Sequence, residues 1–246
     1  MPPSPSSPPP TPTRPLALRA CLTAAPLASV LGALILVALT LGALPLVAHA
    51  HDLSGPELEQ KARAIGFGDS IRLGMEHIYT GYDHLLFLAG LAIAARGLRG
   101  ILRPITSFTL AHSITLALAA LGILAVPSRF VEPAIAASNL YVAFENVARP
   151  SPVGRTWLTF GFGLVHGFGF AGALAELGLR RDAFATTLAG FNLGVEAGQL
   201  SLVLLAIPLL ALARRAAWFA PVAVPVASAT IGFFGAYWLV ERILVG

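Results

Sequence analysis

Apolar residues run along most of this chain in long blocks, broken by short polar clusters rich in arginine and proline. A helix that crosses a bilayer needs about 20 consecutive apolar residues. Six blocks meet that length, near 77–97, 103–125, 130–148, 155–177, 184–212 and 218–241. Three stretches precede them. Residues 2–15 are rich in Pro, Ser and Thr and have little to bury, which predicts disorder. Arg14 and Arg19 then lead into an uncharged run from Ala20 to Ala48. It ends in Ala48-His49-Ala50, a small-x-small cleavage pattern followed by the polar His51-Asp52. Residues 1–50 therefore read as a Pro-rich leader and a cleavable signal peptide, with an uncleaved anchor helix as the competing reading. Residues 51–76 mix charged and apolar positions, as in a short external segment with an amphipathic helix lying on the membrane. Residues 77–246 form the transmembrane domain. The expected fold is all-α: a polytopic integral membrane protein with about six transmembrane helices.

Composition supports this pattern. Of 246 residues, 56% are hydrophobic and 11% charged, whereas soluble domains carry about a quarter charged residues. The mean hydropathy of +0.78 leaves too little polar surface to coat a globule in water. A net charge of +4 and a pI near 9.8 would suit nucleic acid if the basic residues clustered, but they sit in short groups between apolar blocks. Nucleic acid is excluded as a partner. With the mature N-terminus outside, the cytoplasmic loops hold Arg96, Arg99, Arg103, Arg149, Arg155, Arg214 and Arg215; the outer loops hold Arg129, Arg180 and Arg181. This bias follows the positive-inside rule; the expected location is the bacterial inner membrane. Cys21, the only cysteine, lies in the segment expected to be removed, and Met75 is the only methionine beyond the initiator. Soft metals that need thiolate or thioether ligands are poorly served.

Ionisable side chains at the centre of a membrane helix cost about 2.5–3.5 kcal/mol each on insertion scales. Asp83, His84, His112, Glu145, His166 and Glu196 nevertheless lie in apolar blocks. His77 and His84, seven apart, share a face two turns apart on a continuous helix, with Asp83 beside His84. If the chain is instead unwound around Gly81, all three converge on one ion. Two imidazoles and a carboxylate suit Ni²⁺, Co²⁺ or Zn²⁺; an interfacial histidine beside a structural Asp–His pair is the plainer alternative. Thr109, His112 and Thr115 make a polar strip. Glu132, Asn139 and Asn146 recur by sevens, with Glu145 flanking. His166 sits in a glycine-rich block where Gly163-x-x-x-Gly167 permits close helix approach. Asn192, Glu196 and Gln199 share one helix face. At about 1.5 Å of rise per residue, His112, His166 and Glu196 fall near the midplane, Asp83 and His84 in the outer half, and Glu145 toward the cytoplasm. The candidate metal ligands are thus His77, Asp83, His84, His112, Glu145, His166, Asn192 and Glu196, arranged as a ladder across the membrane. The last block is expected to be scaffold.

Gly81-Tyr82-Asp83-His84-Leu85-Leu86-Phe87, Phe108-Thr109-Leu110-Ala111-His112-Ser113-Ile114-Thr115-Leu116 and Glu145-Asn146 together resemble the second branch of the HupE/UreJ family. The resemblance continues through Phe162-Gly163-Leu164-Val165-His166-Gly167-Phe168-Gly169-Phe170-Ala171 and Phe191-Asn192-Leu193-Gly194-Val195-Glu196-Ala197-Gly198-Gln199. It implies a secondary permease for nickel, in some members cobalt, and it points to His77, Asp83 and His84 as metal-binding. Of a second histidine-rich block found in the better-studied branch, this chain keeps only His166-Gly167. No tightly bound cofactor is expected; the transported ion, Ni²⁺ or Co²⁺, and the lipid bilayer are the expected partners, with a homo-oligomer left open. Two alternatives stand beside the permease. One is an intramembrane zinc hydrolase, with Ser107 or Ser113 beside His112, although no His-Glu-x-x-His motif is present. The other is an accessory membrane protein that does not transport.

Overall fold

The computed structural model describes residues 66–149, 154–170 and 181–245. The leader, the signal segment and most of the expected external segment lie outside the described residues. The helices are α1 (Phe67–Thr80), α2 (Tyr82–Ala94), α3 (Gly97–Ala120), α4 (Ser128–Ala148), α5 (Arg155–Gly169), α6 (Arg181–Ala213) and α7 (Val224–Val245), with a π-helical turn at Phe219–Ala223 leading into α7. No strand occurs among the described residues, so the all-α expectation agrees with the fold. Three helical stretches, Gly97–Ala120, Phe184–Ala213 and Phe219–Leu244, are long and apolar enough to cross a membrane, and α2 is a shorter apolar helix.

The element boundaries follow local chemistry. The N–H of Gly66 donates to Asp69 Oδ2 at 3.1 Å, closing the first turn of α1. Gly122 and Gly154 hold positive φ where the chain leaves α3 and enters α5, a conformation open to glycine at little cost. The first apolar block differs from the continuous helix expected over 77–97. His77–Thr80 close α1, and α2 starts anew after Gly81. The second block is shifted: α3 begins at Gly97 and ends at Ala120, so Arg99 and Arg103 lie inside its first turns.

Three helix pairs pack at backbone contact, and glycine makes each possible. In the α1–α6 pair, a Cβ on Gly74 would strike the Phe191 carbonyl oxygen, and one on Gly194 would strike that of Ile71. These helices run side by side in the same direction, from Ser70 beside Gly190 to the 2.7 Å hydrogen bond between the Tyr79 and Ser201 hydroxyls. In the α3–α5 pair, Gly163 lies on the Phe108 backbone and Gly167 on the His112 carbonyl. In the antiparallel α4–α7 pair, Gly235 meets Leu140 and Ala136, and Gly232 meets Ala143. Between the pairs lies α2. Its Phe87, Leu88 and Leu91 join Ile105 and Phe108 of α3, Val142 of α4 and Val203 of α6 in the main apolar core. Outward-facing Leu204, Leu205, Leu209 and Leu212 of α6, and Phe233, Tyr237 and Val240 of α7, stay exposed. Apolar surface of that extent suits hydrocarbon better than water.

Glycine contacts of this kind tolerate no added methyl group. Gly194→Ala is expected to destabilise the purified protein by about 1–3 kcal/mol through overpacking, read as a lower thermal midpoint in detergent. Gly161→Ala, where a Cβ meets nothing within 4 Å, should leave the midpoint unchanged or slightly raised.

Candidate metal centre

The break between α1 and α2 brings the first two histidines together. In a continuous helix, residues seven apart stand about 10 Å apart along the axis. Here Gly81 takes φ −79° and ψ 92°, and the His77 and His84 ring centres are only 4.7 Å apart. The broken ends remain hydrogen-bonded: Gly81 N–H donates to the His77 carbonyl at 3.0 Å, and Leu85 N–H to the Gly81 carbonyl at 3.0 Å. A Cβ at residue 81 would sit 2.8 Å from both the His77 carbonyl oxygen and His84 Nδ1. Only glycine lets the two imidazoles close on this turn.

Two further histidines complete a cluster from four helices. His112 of α3 lies 6.0 Å, centre to centre, from both His77 and His84, and His166 of α5 lies 5.3 Å from His84. The contact of Gly167 with the His112 carbonyl sets the α3–α5 spacing next to His166. His112 is 0% and His166 1% exposed. Phenylalanines wall the cluster: Phe170 and Phe191 stand 4.4 and 5.5 Å from His77, and Phe108 and Phe87 stand 4.9 and 5.4 Å from His166. A cavity of about 10 Å³, lined by His84, Gln199 and apolar side chains, adjoins it, room for a single water.

Within this wall each imidazole has at least one ring nitrogen without a partner. His77 Nε2, His84 Nε2, His166 Nε2 and both ring nitrogens of His112 are buried with no hydrogen bond. Leaving a buried polar atom unpaired costs about 1–3 kcal/mol. The Nδ1 of His166 lies 2.9 Å from the Phe162 carbonyl; a carbonyl only accepts, so Nδ1 carries the proton and the Nε2 lone pair is free. A backbone carbonyl on one ring nitrogen is the usual support for a histidine that binds metal through the other. With nitrogen–metal bonds of 2.0–2.1 Å, two imidazoles on one ion have centres about 4.5–5.5 Å apart. The His77–His84 and His84–His166 separations fall in that range, and His112 stands slightly beyond it. Among the described residues, no three His, Cys, Asp or Glu side chains already stand in a coordinating arrangement. Binding an ion therefore requires the rings to turn.

The expected carboxylates lie elsewhere. Asp83, which the alternative of a chain unwound around Gly81 would bring together with His77 and His84, accepts Arg242 Nη2 at 2.7 Å and Asn139 Nδ2 at 3.4 Å. It occupies a different face of α2 from His84, and the guanidinium is its stronger partner. Glu145 pairs with Arg155 at 3.3 Å, and Arg155 also donates to Asn146, whose amide donates to the Gly90 carbonyl at 2.9 Å. Glu196 is half-buried, 3.4 Å from the Thr106 hydroxyl. Asn192 has a buried, unpartnered Oδ1, while its neighbour Gln199 accepts from Thr109 at 2.6 Å. The candidate residues thus do not line up as a ladder: four imidazoles gather in one place, and Asp83, Glu145 and Glu196 have other partners. Ser107 and Ser113 donate to the carbonyls of Thr156 and Thr109. Sequence reasoning missed Arg242, treating its helix as scaffold, and counted Arg155 only as a loop charge. An ionisable residue at the end of an apolar block was the available signal in both cases.

The family model described as HupE / UreJ protein matches residues 55–242. No curated protein and no solved structure matches the chain.

The Glu145–Arg155 pair, with side chains 5% and 8% exposed, generates a prediction of its own. Arg155→Met leaves a buried carboxylate uncompensated and should cost about 3–5 kcal/mol. Adding Glu145→Gln should recover most of that loss, measured as the thermal midpoint of each variant in detergent.

Proposed function

Because this chain belongs to the HupE/UreJ family, a family associated with nickel and cobalt transport or accessory roles, we propose that it is a secondary permease for Ni²⁺ or Co²⁺. The ion passes through the cluster of His77, His84, His112 and His166. One observation carries this reading: four imidazoles from four helices meet inside an aromatic wall with five ring nitrogens, at least one on each, buried and unpartnered. Neutral imidazole is a good ligand for Ni²⁺ and Co²⁺ and a poor one for Mg²⁺ or Ca²⁺, which prefer oxygen. Rings that must turn to coordinate hold an ion less firmly than a closed structural site, as a carrier requires. The zinc-hydrolase alternative has less support, because among the described residues no carboxylate reaches the cluster to act as a base, and Ser107 and Ser113 are tied to backbone carbonyls.

The permease has six crossings in the bacterial inner membrane, with its mature N-terminus outside after removal of the signal peptide. In this arrangement α1 and α2 make one broken crossing. The constant offset between Tyr79 beside Ser201 and Ala92 beside Arg214 supports it, since both helices then follow α6 in one direction. Discontinuous helices of this kind commonly carry the ion sites of transporters.

Uptake of radiolabelled nickel and cobalt in a transport-deficient bacterial host tests the proposal, at matched amounts of protein in the membrane. Wild type should accumulate at least one metal. His84→Ala and His112→Ala should reduce accumulation to background, and Gly81→Ala by about tenfold or more, since it displaces His84. Glu196→Ala, outside the cluster, should keep more than half. Well-folded wild type that accumulates neither metal would end this reading.

A further inference from the structure

Asp83 and His84 are neighbours in sequence, yet they serve different assemblies. The Asp83 carboxylate is held by Arg242 Nη2 at 2.7 Å. Arg242 is itself anchored three ways. Its Nη1 donates to the Glu132 carbonyl at 3.0 Å, its Nε lies 4.0 Å from Glu132 Oε2, and its guanidinium carbon stands 5.8 Å from the Trp238 ring centre. The guanidinium therefore bridges α2, α4 and α7. The two side chains are only 22% and 17% exposed, so solvent screens the pair less than it would a surface pair.

The histidine cluster has the opposite electrostatic character. Among the described residues it holds four imidazoles and no carboxylate, inside a wall of phenylalanine. A divalent ion entering it brings two positive charges into a poorly solvated place, where an uncompensated charge is costly. The sequence-adjacent carboxylate that would offset this is Asp83, and Arg242 neutralises it.

We propose that Arg242 is a charge lock on the metal centre, a positioning residue that acts through Asp83. With the cluster empty of metal, Arg242 neutralises Asp83 and ties the start of α2 to α4 and α7. When the ion enters, Asp83 exchanges the guanidinium for the field of the ion. When the ion leaves, Arg242 recaptures the carboxylate and favours release. This inference rests on the reading of the cluster as a metal centre.

The test uses purified full-length protein in detergent, with Co²⁺ as the probe. Affinity is measured by calorimetry and by cobalt d–d absorption, and dissociation by stopped-flow capture with a chelator. Removing the lock should tighten binding: Arg242→Gln should lower the Kd about tenfold or more and slow release by a similar factor. Arg242→Lys, which keeps the charge but loses the fork, should fall between it and wild type. Asp83→Asn should raise the Kd, and Asp83→Asn combined with Arg242→Gln should bind no more tightly than Asp83→Asn alone. A purely structural role for Arg242 predicts the reverse, with Arg242→Gln lowering the metal-free thermal midpoint and weakening or not changing Co²⁺ affinity; that result overturns the lock. If Arg242→Gln does not fold, unchanged affinity and release in Arg242→Lys overturn it equally. Wild type that binds no Co²⁺ at the cluster would remove the metal centre itself, and the lock with it. Wild-type binding that Arg242 variants leave unaltered would remove the lock alone.

Discussion

Buried imidazole nitrogens that find no hydrogen-bond partner set the terms for the rest of this molecule. Five such atoms, on His77, His84, His112 and His166, lie in one cluster of rings inside a wall of phenylalanine. Polar atoms are normally buried only when their bonding capacity is met, and in a membrane there is little water to meet it. An arrangement that leaves them bare must be held in place by contacts elsewhere. The glycine seams supply those contacts. Gly74 and Gly194 join α1 to α6, and Gly163 and Gly167 join α3 to α5, so backbone contact fixes three of the four helices that carry the histidines. The fourth, α2, follows α1 through the turn at Gly81.

Asp83 and Glu145 obey the opposite rule: each carboxylate lies with an arginine. Arg242 holds Asp83 and Arg155 holds Glu145, each joining different helices. The interior is thereby divided into a neutral, aromatic, nitrogen-rich centre and separate ion pairs that tie the bundle together. A carboxylate turned into the centre would bind a cation more tightly, but it would also retain it.

Much of this was legible in the sequence, and the remainder was not for physical reasons. Apolar blocks of membrane-crossing length gave the helical class, and the histidines stood out because charge and imidazole are costly in such blocks. The departure at Gly81 was visible only as an alternative. Glycine permits a break without requiring one, and spacing by seven fits a continuous helix equally well. Depth along the helices placed His112 and His166 near the midplane and His84 further out, because it assumed straight helices perpendicular to the membrane. The break and the crossing of the helices gather these residues instead. Asp83 illustrates the largest gap. Its adjacency to His84 suggested a shared ion, but its actual partner lies 159 residues later on another helix, where no periodicity in one sequence could find it.

The pairing of helices through glycine has a mechanical consequence. Each seam is a backbone contact that cannot slide by a fraction of a residue without collision, so α1 with α6, and α3 with α5, behave as stiff units. His112 and His166 both belong to the second unit, His77 to the first, and His84 to α2 between them. Rocking one unit against the other therefore leaves His112 and His166 at constant spacing while it opens or closes their distance to His77. The two histidines of α3 and α5 then form a fixed jaw and His77 a moving one, so a small change of tilt between stiff pairs changes how many imidazoles stand close together at once.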